Sequence, residues 1–342
     1  MKAAVLHAVN DIRVDQVDDL RPADDGVLIR IKACGVCATD VNMWRGTNTE
    51  GTFPFIPGHE WVGEVVEAGR RAGRWRPGDR VVGEVTVACG TCANCREGLP
   101  PEGCMDSQLY GFRPQTPGGM AQFHASPEGR LHRVPDELTD DEATLVEPLS
   151  IAYHAVWAAG GGIKPHDRVA VFGCGPIGML TMLVCKAAGV FVMAVEPHPV
   201  RRQMALDFGA DVALDPTAGD LADQVLTHTE GRGASLAVEC SGNNGARAAT
   251  VDVVARRGRI ALVGIRANSL VPLEFDKIVF NGITITGSDG SGFYFAKPLD
   301  FMARHLVNVQ QVITHHFELD KIGDALKLGS MGADSCKITI VP

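Results

Sequence analysis

The amino-acid sequence predicts a two-domain α/β protein: an irregular, mostly-β domain followed by a domain built on a doubly wound parallel sheet. Three observations carry this expectation. The chain has 342 residues, about the length of two ordinary domains. Short β-like runs broken by Gly/Pro turns fill the first 150 positions. Past residue 165 the pattern becomes strand, helix, strand, which implies parallel strands joined by crossover helices.

The N-terminus, Met1-Lys2-Ala3-Ala4-Val5-Leu6-His7, turns polar too soon for a signal peptide and reads as a first strand. Further strands are expected at Val27–Ile31, Val62–Val66 and Arg80–Val82. Pro77-Gly78-Asp79 is a turn between the last two. The second domain opens with a buried strand, Arg168–Phe172, and an apolar helix, Pro176–Ala188, stopped by Gly189. Phe191–Val195 is the next strand, and Pro199–Phe208 the next helix, stopped by Gly209. Strands follow at Leu236–Val238, Arg259–Val263 and Ile283–Thr286. From Gly287 the pattern is mixed and ends in a β-like Lys337–Val341. The expected division is therefore 1–150, 151–286, and a return of 287–342 to the first domain.

Composition is that of an ordinary globular chain, 45% apolar and 21% charged. A net charge of -9 and the absence of any basic cluster argue against nucleic acid or an anionic membrane as partner. The uncharged run Val169–Cys185 is broken by Gly173, Gly175, Pro176 and Gly178, which argues against a membrane span. Ten cysteines with no export signal read as cytosolic thiols, so a cytoplasmic protein is expected.

Gly173-Cys174-Gly175-Pro176-Ile177-Gly178 is a G-x-G-x-x-G lying where the mechanism needs it, after a strand and at a helix start. The first glycine makes the tight turn, the second admits a pyrophosphate, and the third lets helix and strand pack closely. The helix N-terminus offers unpaired N–H groups to the phosphate. Glu196 ends the next strand, where a carboxylate accepts from ribose hydroxyls and repels a 2′-phosphate. NAD is expected over NADP, although Arg201 and Arg202 follow closely and suit a phosphate. Val263, closing a later strand, completes the expected cofactor-contacting set with the glycine motif, Glu196 and Arg201.

Cys89, Cys92, Cys95 and Cys104 form C-x2-C-x2-C with a fourth cysteine, within a lobe at about 86–106. Four thiolates on one loop make a closed tetrahedral shell, the pattern of a structural zinc site. Cys37, His59, Glu60 and Glu147 are dispersed. Together they offer the mixed S, N and O donors that a catalytic zinc uses while keeping one position open.

At this point the chain resembles the zinc-containing medium-chain alcohol dehydrogenases. G-V-C-x-T-D at 35–40, P-G-H-E at 57–60, the four-cysteine lobe, V-E-P-L-S at 146–150 and G-C-G-P-I-G occur in that family's order and spacing. The resemblance implies a GroES-like catalytic domain and a Rossmann domain. It implies that Cys37, His59 and Glu147 hold the catalytic zinc, Glu147 directly or through water. Glu60 is then a nearby carboxylate able to exchange onto the metal, and Asp40 orients His59. Thr39 is implied to contact the substrate oxygen and start the proton relay. A homodimer or homotetramer is also implied. Glu147 in place of a cysteine, with Leu109–Phe112, Thr116-Pro117-Gly118 and Met120-Ala121, resembles the branch acting on sorbitol, threonine, butanediol and tetritols.

Two departures stand out. Asn42 occupies the place where the family often carries a relay histidine, and an amide does not titrate near neutral pH. Cys104 lies one residue later than usual. The expected reaction is reversible oxidation of a secondary hydroxyl of a sugar alcohol or cyclitol to the ketone, with hydride passing to the nicotinamide. Amino alcohols of threonine or aminocyclitol type, or a 2,3-butanediol, are alternatives; Asp289 is the residue that suggests an ammonium. A metal-bearing scaffold without turnover is a further alternative. Trp44, Tyr110, Phe112 and Tyr294 are candidate pocket side chains.

Overall fold

The strand expected at Val27–Ile31 runs from Gly26 to Val36 in the computed structural model, which describes residues 1–48, 51–290, 295–304, 306–332 and 335–342. Val27, Ile29 and Ile31 point into one face and are at most 4% exposed. A fully buried aliphatic side chain contributes roughly 1.5–3 kcal/mol, so this face outweighs the weak intrinsic preference of the strand. Tyr294 lies outside the described residues.

The chain divides into two compact units. One holds Met1–Glu147, Ser291–Arg304 and Ile313–Pro342, the other Pro148–Gly290 and His305–Val312. The sequence runs the return from 287 without a break; in the structure it is interrupted by a short excursion into the second unit.

The first unit is built on a 7-stranded sheet in the order Ile313–Glu318, Lys337–Val341, Gly26–Val36, Glu60–Ala68, Arg80–Gly83, Leu131–Arg133, with Phe123–Pro127 also on Gly26–Val36. Its core includes Ile29, Trp61, Val65, Trp75, Leu131, Leu326 and Ile340. Strand register brings distant residues together. Gly35 is opposite Glu60, and Val36 is opposite Ile338. Three distant segments therefore end side by side: the exit of the strand before Cys37, the entry of the strand after His59, and Lys337.

The second unit is a 6-stranded parallel sheet in the order Val212–Leu214, Phe191–Val195, Arg168–Phe172, Ala234–Glu239, Val254–Leu262, Thr284–Gly287. This 3-2-1-4-5-6 order reverses beside Arg168–Phe172, the place where such sheets bind dinucleotides. The core packs Phe172, Val195, Leu214 and Ile260 against helix faces. Helices Leu221–Thr227, Asn244–Val253 and Phe275–Asn281 and the strand Val212–Leu214 are additions to the sequence expectation. The strand expected from Arg259 begins at Val254. The apolar run Val169–Cys185 is split between a strand and a helix, and among the described residues no helix is long and apolar enough to cross a membrane.

Candidate metal and dinucleotide sites

Cys37 stands at the start of helix Ala38–Trp44, where its backbone N–H donates to Asp40 Oδ2 at 2.9 Å. Asp40 Oδ1 accepts from the Gly58 N–H at 3.3 Å, which ties the Cys37 turn to the His59 turn. The same oxygen lies 3.7 Å from His59 Nδ1, longer than a hydrogen bond, and that nitrogen is buried without another partner. Donor atoms of Cys37, His59 and Glu60 all fall within 4.8 Å of one another. Glu60 and Asp40 are each 1% exposed and His59 is 5% exposed.

Glu60 reaches across its neighbouring strand because residue 35 is glycine. A Cβ there would lie 2.2 Å from Glu60 Oε2. The carboxylate is then met by a residue that the sequence reading missed. Lys337 Nζ donates to Glu60 Oε1 at 2.7 Å and Oε2 at 2.6 Å, and to the Val36 carbonyl at 3.3 Å. Lys337 is 2% exposed. Burial pulls its ammonium down, but Glu60 and Cys37 outweigh it and its pKa is raised.

Glu147 stands beside this group rather than within it. It lies in the first turn of helix Val146–His154 and is half-buried. Burial lifts its carboxyl to about 7, against the pull of His59. Burial also pushes Asp40 up. For His59, burial acts downward, yet Asp40 and Cys37 hold the imidazole well above its ordinary value. The cluster thus gathers Cys37, Asp40, Glu60 and Glu147 against one buried ammonium. A mixed S, N, O donor set with surplus negative charge fits a divalent zinc with an open position. Thr39 is half-buried on the first turn of the Cys37 helix. Asn42 is exposed, and its carbonyl accepts from the Thr47 N–H at 2.9 Å, so it braces a turn.

The second cysteine group is compact. Sγ–Sγ distances are 3.4 Å for Cys92–Cys95, 3.9 Å for Cys92–Cys104 and 4.0 Å for Cys89–Cys95. Zinc at about 2.3 Å from four sulfurs sets tetrahedral edges of about 3.8 Å. Backbone N–H groups of Thr91 and Cys92 point at Cys89 Sγ, and that of Asp106 at Cys104 Sγ. The Thr91 N–H leads in drawing the Cys89 thiol down to about 6, and the Cys92 sulfur pushes Cys95 up to about 12. The short turn Pro101–Gly103 takes up the longer spacing before Cys104.

In the second unit each motif glycine has its own reason. Gly173 has φ +87°, and a Cβ there would meet Ser241. At Gly178 a Cβ would lie 1.9 Å from the Gly173 carbonyl oxygen. At Gly175 a Cβ would meet only Arg201 Nη1, at 3.9 Å, which leaves open space beneath a guanidinium. Gly175 caps helix Pro176–Ala187 without a side-chain hydrogen bond, so first-turn N–H groups remain for an anion. Ile177 spends its carbonyl on Thr181 Oγ1 at 2.8 Å.

Glu196 is 6% exposed and accepts from the Cys174 N–H at 2.8 Å and the His198 N–H at 3.0 Å. Each oxygen keeps a lone pair for a hydroxyl. Arg202, a phosphate candidate in the sequence, is committed elsewhere: to the Glu196 and Pro197 carbonyls and, at 2.9 Å, to Asp215. Val263 follows the strand Val254–Leu262 and donates to the Glu239 carbonyl at 2.9 Å.

Of the pocket candidates, Phe112 lies with its ring centre 5.4 Å from that of His59. Tyr110 stacks on Arg130, and Trp44 packs on the first-unit core. Asp289 is exposed in the second unit, beside the His154–Ser288 hydrogen bond of 2.8 Å.

Comparison with known proteins points the same way. The family described as "Alcohol dehydrogenase GroES-like domain" matches residues 23–136, and that described as "Zinc-binding dehydrogenase" matches 176–304. The chain is 30% identical to the sorbitol dehydrogenase of Bacillus subtilis, over 100% of this chain and 97% of that one. It is 32% identical to the scyllo-inosose 3-dehydrogenase of Thermotoga maritima, over 97% and 90%. A solved structure from Sinorhizobium meliloti 1021, bound to NADP, superposes with TM-score 0.92 at 27% identity, covering 100% of this chain and 99% of that one.

Proposed function

This chain belongs to the zinc-type alcohol dehydrogenase family, and we propose that it oxidises a secondary hydroxyl of a sugar alcohol or cyclitol to the ketone, with NAD as hydride acceptor. The observation that carries this reading is the meeting of a thiol, an imidazole and a carboxylate, Cys37, His59 and Glu60, within 4.8 Å, beside Glu147.

When bound, zinc supplies Lewis-acid polarisation of an alcohol oxygen, and the nicotinamide supplies the hydride acceptor. The rest falls to the protein. Cys37 and His59 hold the metal, with Glu147 or Glu60 as the oxygen donor. The Asp40 carboxylate, 3.7 Å from His59 Nδ1, favours a proton on that nitrogen by its charge, which leaves the other ring nitrogen free to ligate. Lys337 holds Glu60 back and offsets its charge. Thr39 Oγ1 accepts the alcohol proton and passes it on; Asn42 does not titrate, so the proton leaves through water or a cofactor hydroxyl. Cys89, Cys92, Cys95 and Cys104 hold a second zinc whose closed shell stabilises the lobe.

Gly173, Gly175, Pro176, Ile177 and Gly178 with Arg201 receive the pyrophosphate, Glu196 takes the ribose hydroxyls, and Val263 lines the cofactor. A buried carboxylate at 196 disfavours a 2′-phosphate, which supports NAD over NADP. None of the ten cysteines is in a disulfide, which supports a cytoplasmic setting. The exposed Ile265, Leu270, Phe275, Val279 and Phe280 lie in sequence just ahead of the edge strand Thr284–Gly287, which supports a homo-oligomer.

The test is direct. Purified protein is assayed for metal content and for NADH formation on a panel of polyols, cyclitols and amino alcohols. Two zinc ions per chain and turnover on a polyol or cyclitol support the reading. Turnover confined to amino alcohols, or none on any alcohol, overturns it.

A further inference from the structure

A buried guanidinium in the first unit belongs to neither site. Arg130 closes the turn Glu128–Arg130 and is 4% exposed. Its Cζ stacks 4.0 Å from the centre of the Tyr110 ring and 5.9 Å from that of Trp61. Nη1 lies 3.3 Å from His124 Nε2 and 3.4 Å from Ser126 Oγ, both residues being buried. His124 is no counter-charge. Burial holds it neutral, down to about 3, so its Nε2 serves as an acceptor. The acid that Arg130 feels, Glu84, has an oxygen 2.8 Å from His132 Nε2. Arg130 Nε and Nη2 and Trp61 Nε1 are buried with no hydrogen-bond partner among the described residues.

The cluster thus has one positive charge, with Glu84 as the acid it senses, and four buried nitrogens without a hydrogen-bond partner among the described residues: Arg130 Nε and Nη2, Trp61 Nε1 and His124 Nδ1. An unpaired buried charge is costly, and each orphaned donor adds to that cost. Water supplies an acceptor but no charge. The identity of the unused atoms narrows the ligand further. Nε and Nη2 form one edge of the guanidinium fork. This chain uses that same edge to hold carboxylates elsewhere: Arg13 grips Asp11 through Nε at 2.7 Å and Nη2 at 2.6 Å, and Arg70 grips Asp24 likewise at 3.0–3.1 Å. At Arg130 the same edge is formed, and among the described residues no carboxylate bonds it.

We propose that Arg130, walled by Tyr110 and Trp61, is a binding site for a carboxylate supplied from outside the chain, gripped side-on by Nε and Nη2. The carboxylate comes either as a small free acid or as the acid group of a substrate. The free-acid arm is independent of the zinc reading, since no atom of the cluster is an expected metal ligand; the substrate arm rests on the proposed dehydrogenase function.

Formate is the probe. The melting temperature of the purified protein is followed against formate, with chloride at equal ionic strength as control, for wild type, Arg130→Met and Arg130→Lys. Crystals are soaked in formate. Steady-state kinetics compare an aldonate with its neutral polyol. A free-acid site predicts planar density on Nε and Nη2. It also predicts a wild-type melting temperature that climbs with the logarithm of formate, a slope absent in Arg130→Met and reduced in Arg130→Lys. A substrate-borne carboxylate predicts that Arg130→Met raises KM for the aldonate at least tenfold and leaves the polyol unchanged. Should Arg130→Met fail to fold, the wild-type density and the formate-against-chloride comparison still decide. Water alone on Nε and Nη2, equal responses to formate and chloride, and an unchanged aldonate-to-polyol ratio together overturn the proposal.

Discussion

Replacing Lys337 by methionine removes the ammonium that bonds Glu60 in the buried cluster. Methionine keeps the length and the apolar stem, so the perturbation is the charge and its hydrogen bonds. Both partners are at most 2% exposed, and the ammonium bonds both carboxylate oxygens at 2.6–2.7 Å. Taking one partner from such a pair strands the other, a loss of about 3–5 kcal/mol. In a domain of 150–250 residues each kcal/mol is worth about 2–4 °C, so metal-free Lys337→Met melts about 6–20 °C below wild type. Adding Glu60→Gln removes the stranded charge and restores more than half of the loss. Zinc shrinks it too, because the freed carboxylate then meets another cation. Differential scanning calorimetry with and without chelator measures all of these. A Lys337→Met melting point within about 2 °C of wild type, or a double variant no better than the single, refutes the reasoning.

Cys95→Ser opens the four-sulfur shell. Zinc content falls from two to one per chain and the melting temperature drops, while turnover at low temperature survives within roughly tenfold. Glu147 titrates near 7 in the folded metal-free chain against about 4.5 for the ordinary carboxyl. The folded state therefore binds the extra proton between those values, and stability falls as pH rises from about 4.5 to 7. Glu147→Gln flattens that stretch of the melting-temperature curve; an unchanged slope contradicts the assignment. Glu196→Gln removes the charge that repels a 2′-phosphate, so the ratio of kcat/KM for NAD over NADP falls at least fivefold, read from cofactor-saturation curves.

Much of this was legible in the sequence because the signals are local. A glycine motif between a strand and a helix, and four cysteines on one loop, state their geometry in the spacing itself. Residue type alone offered Cys37, His59, Glu60 and Glu147 as possible donors, but their roles at one metal came from the resemblance, since nothing local says that residues 37 and 59 lie close together. Lys337 and Arg130 were missed for a physical reason. Lys337 opens an apolar strand, where a charged residue ordinarily marks the exposed end. Its burial depends on a cross-strand register with Val36, 301 positions away. Arg130 follows a glycine in a surface-like turn, and only the fold aims it at Tyr110 and Trp61. Arg202 looked like Arg201 from the sequence; the carbonyls of Glu196 and Pro197 separate them. Strand ends were short at Ile31 and late at Arg259 because pairing with neighbours extends a strand beyond its apolar run.

Crystallography across the zinc absorption edge shows whether far-apart side chains share one zinc. Two anomalous peaks per chain are expected, one amid Cys89, Cys92, Cys95 and Cys104, the other bonded to Cys37 Sγ and the His59 ring, with the second peak lost in Cys37→Ser. A zinc-replete crystal with only the four-cysteine peak, or a second peak that survives Cys37→Ser, contradicts a shared zinc.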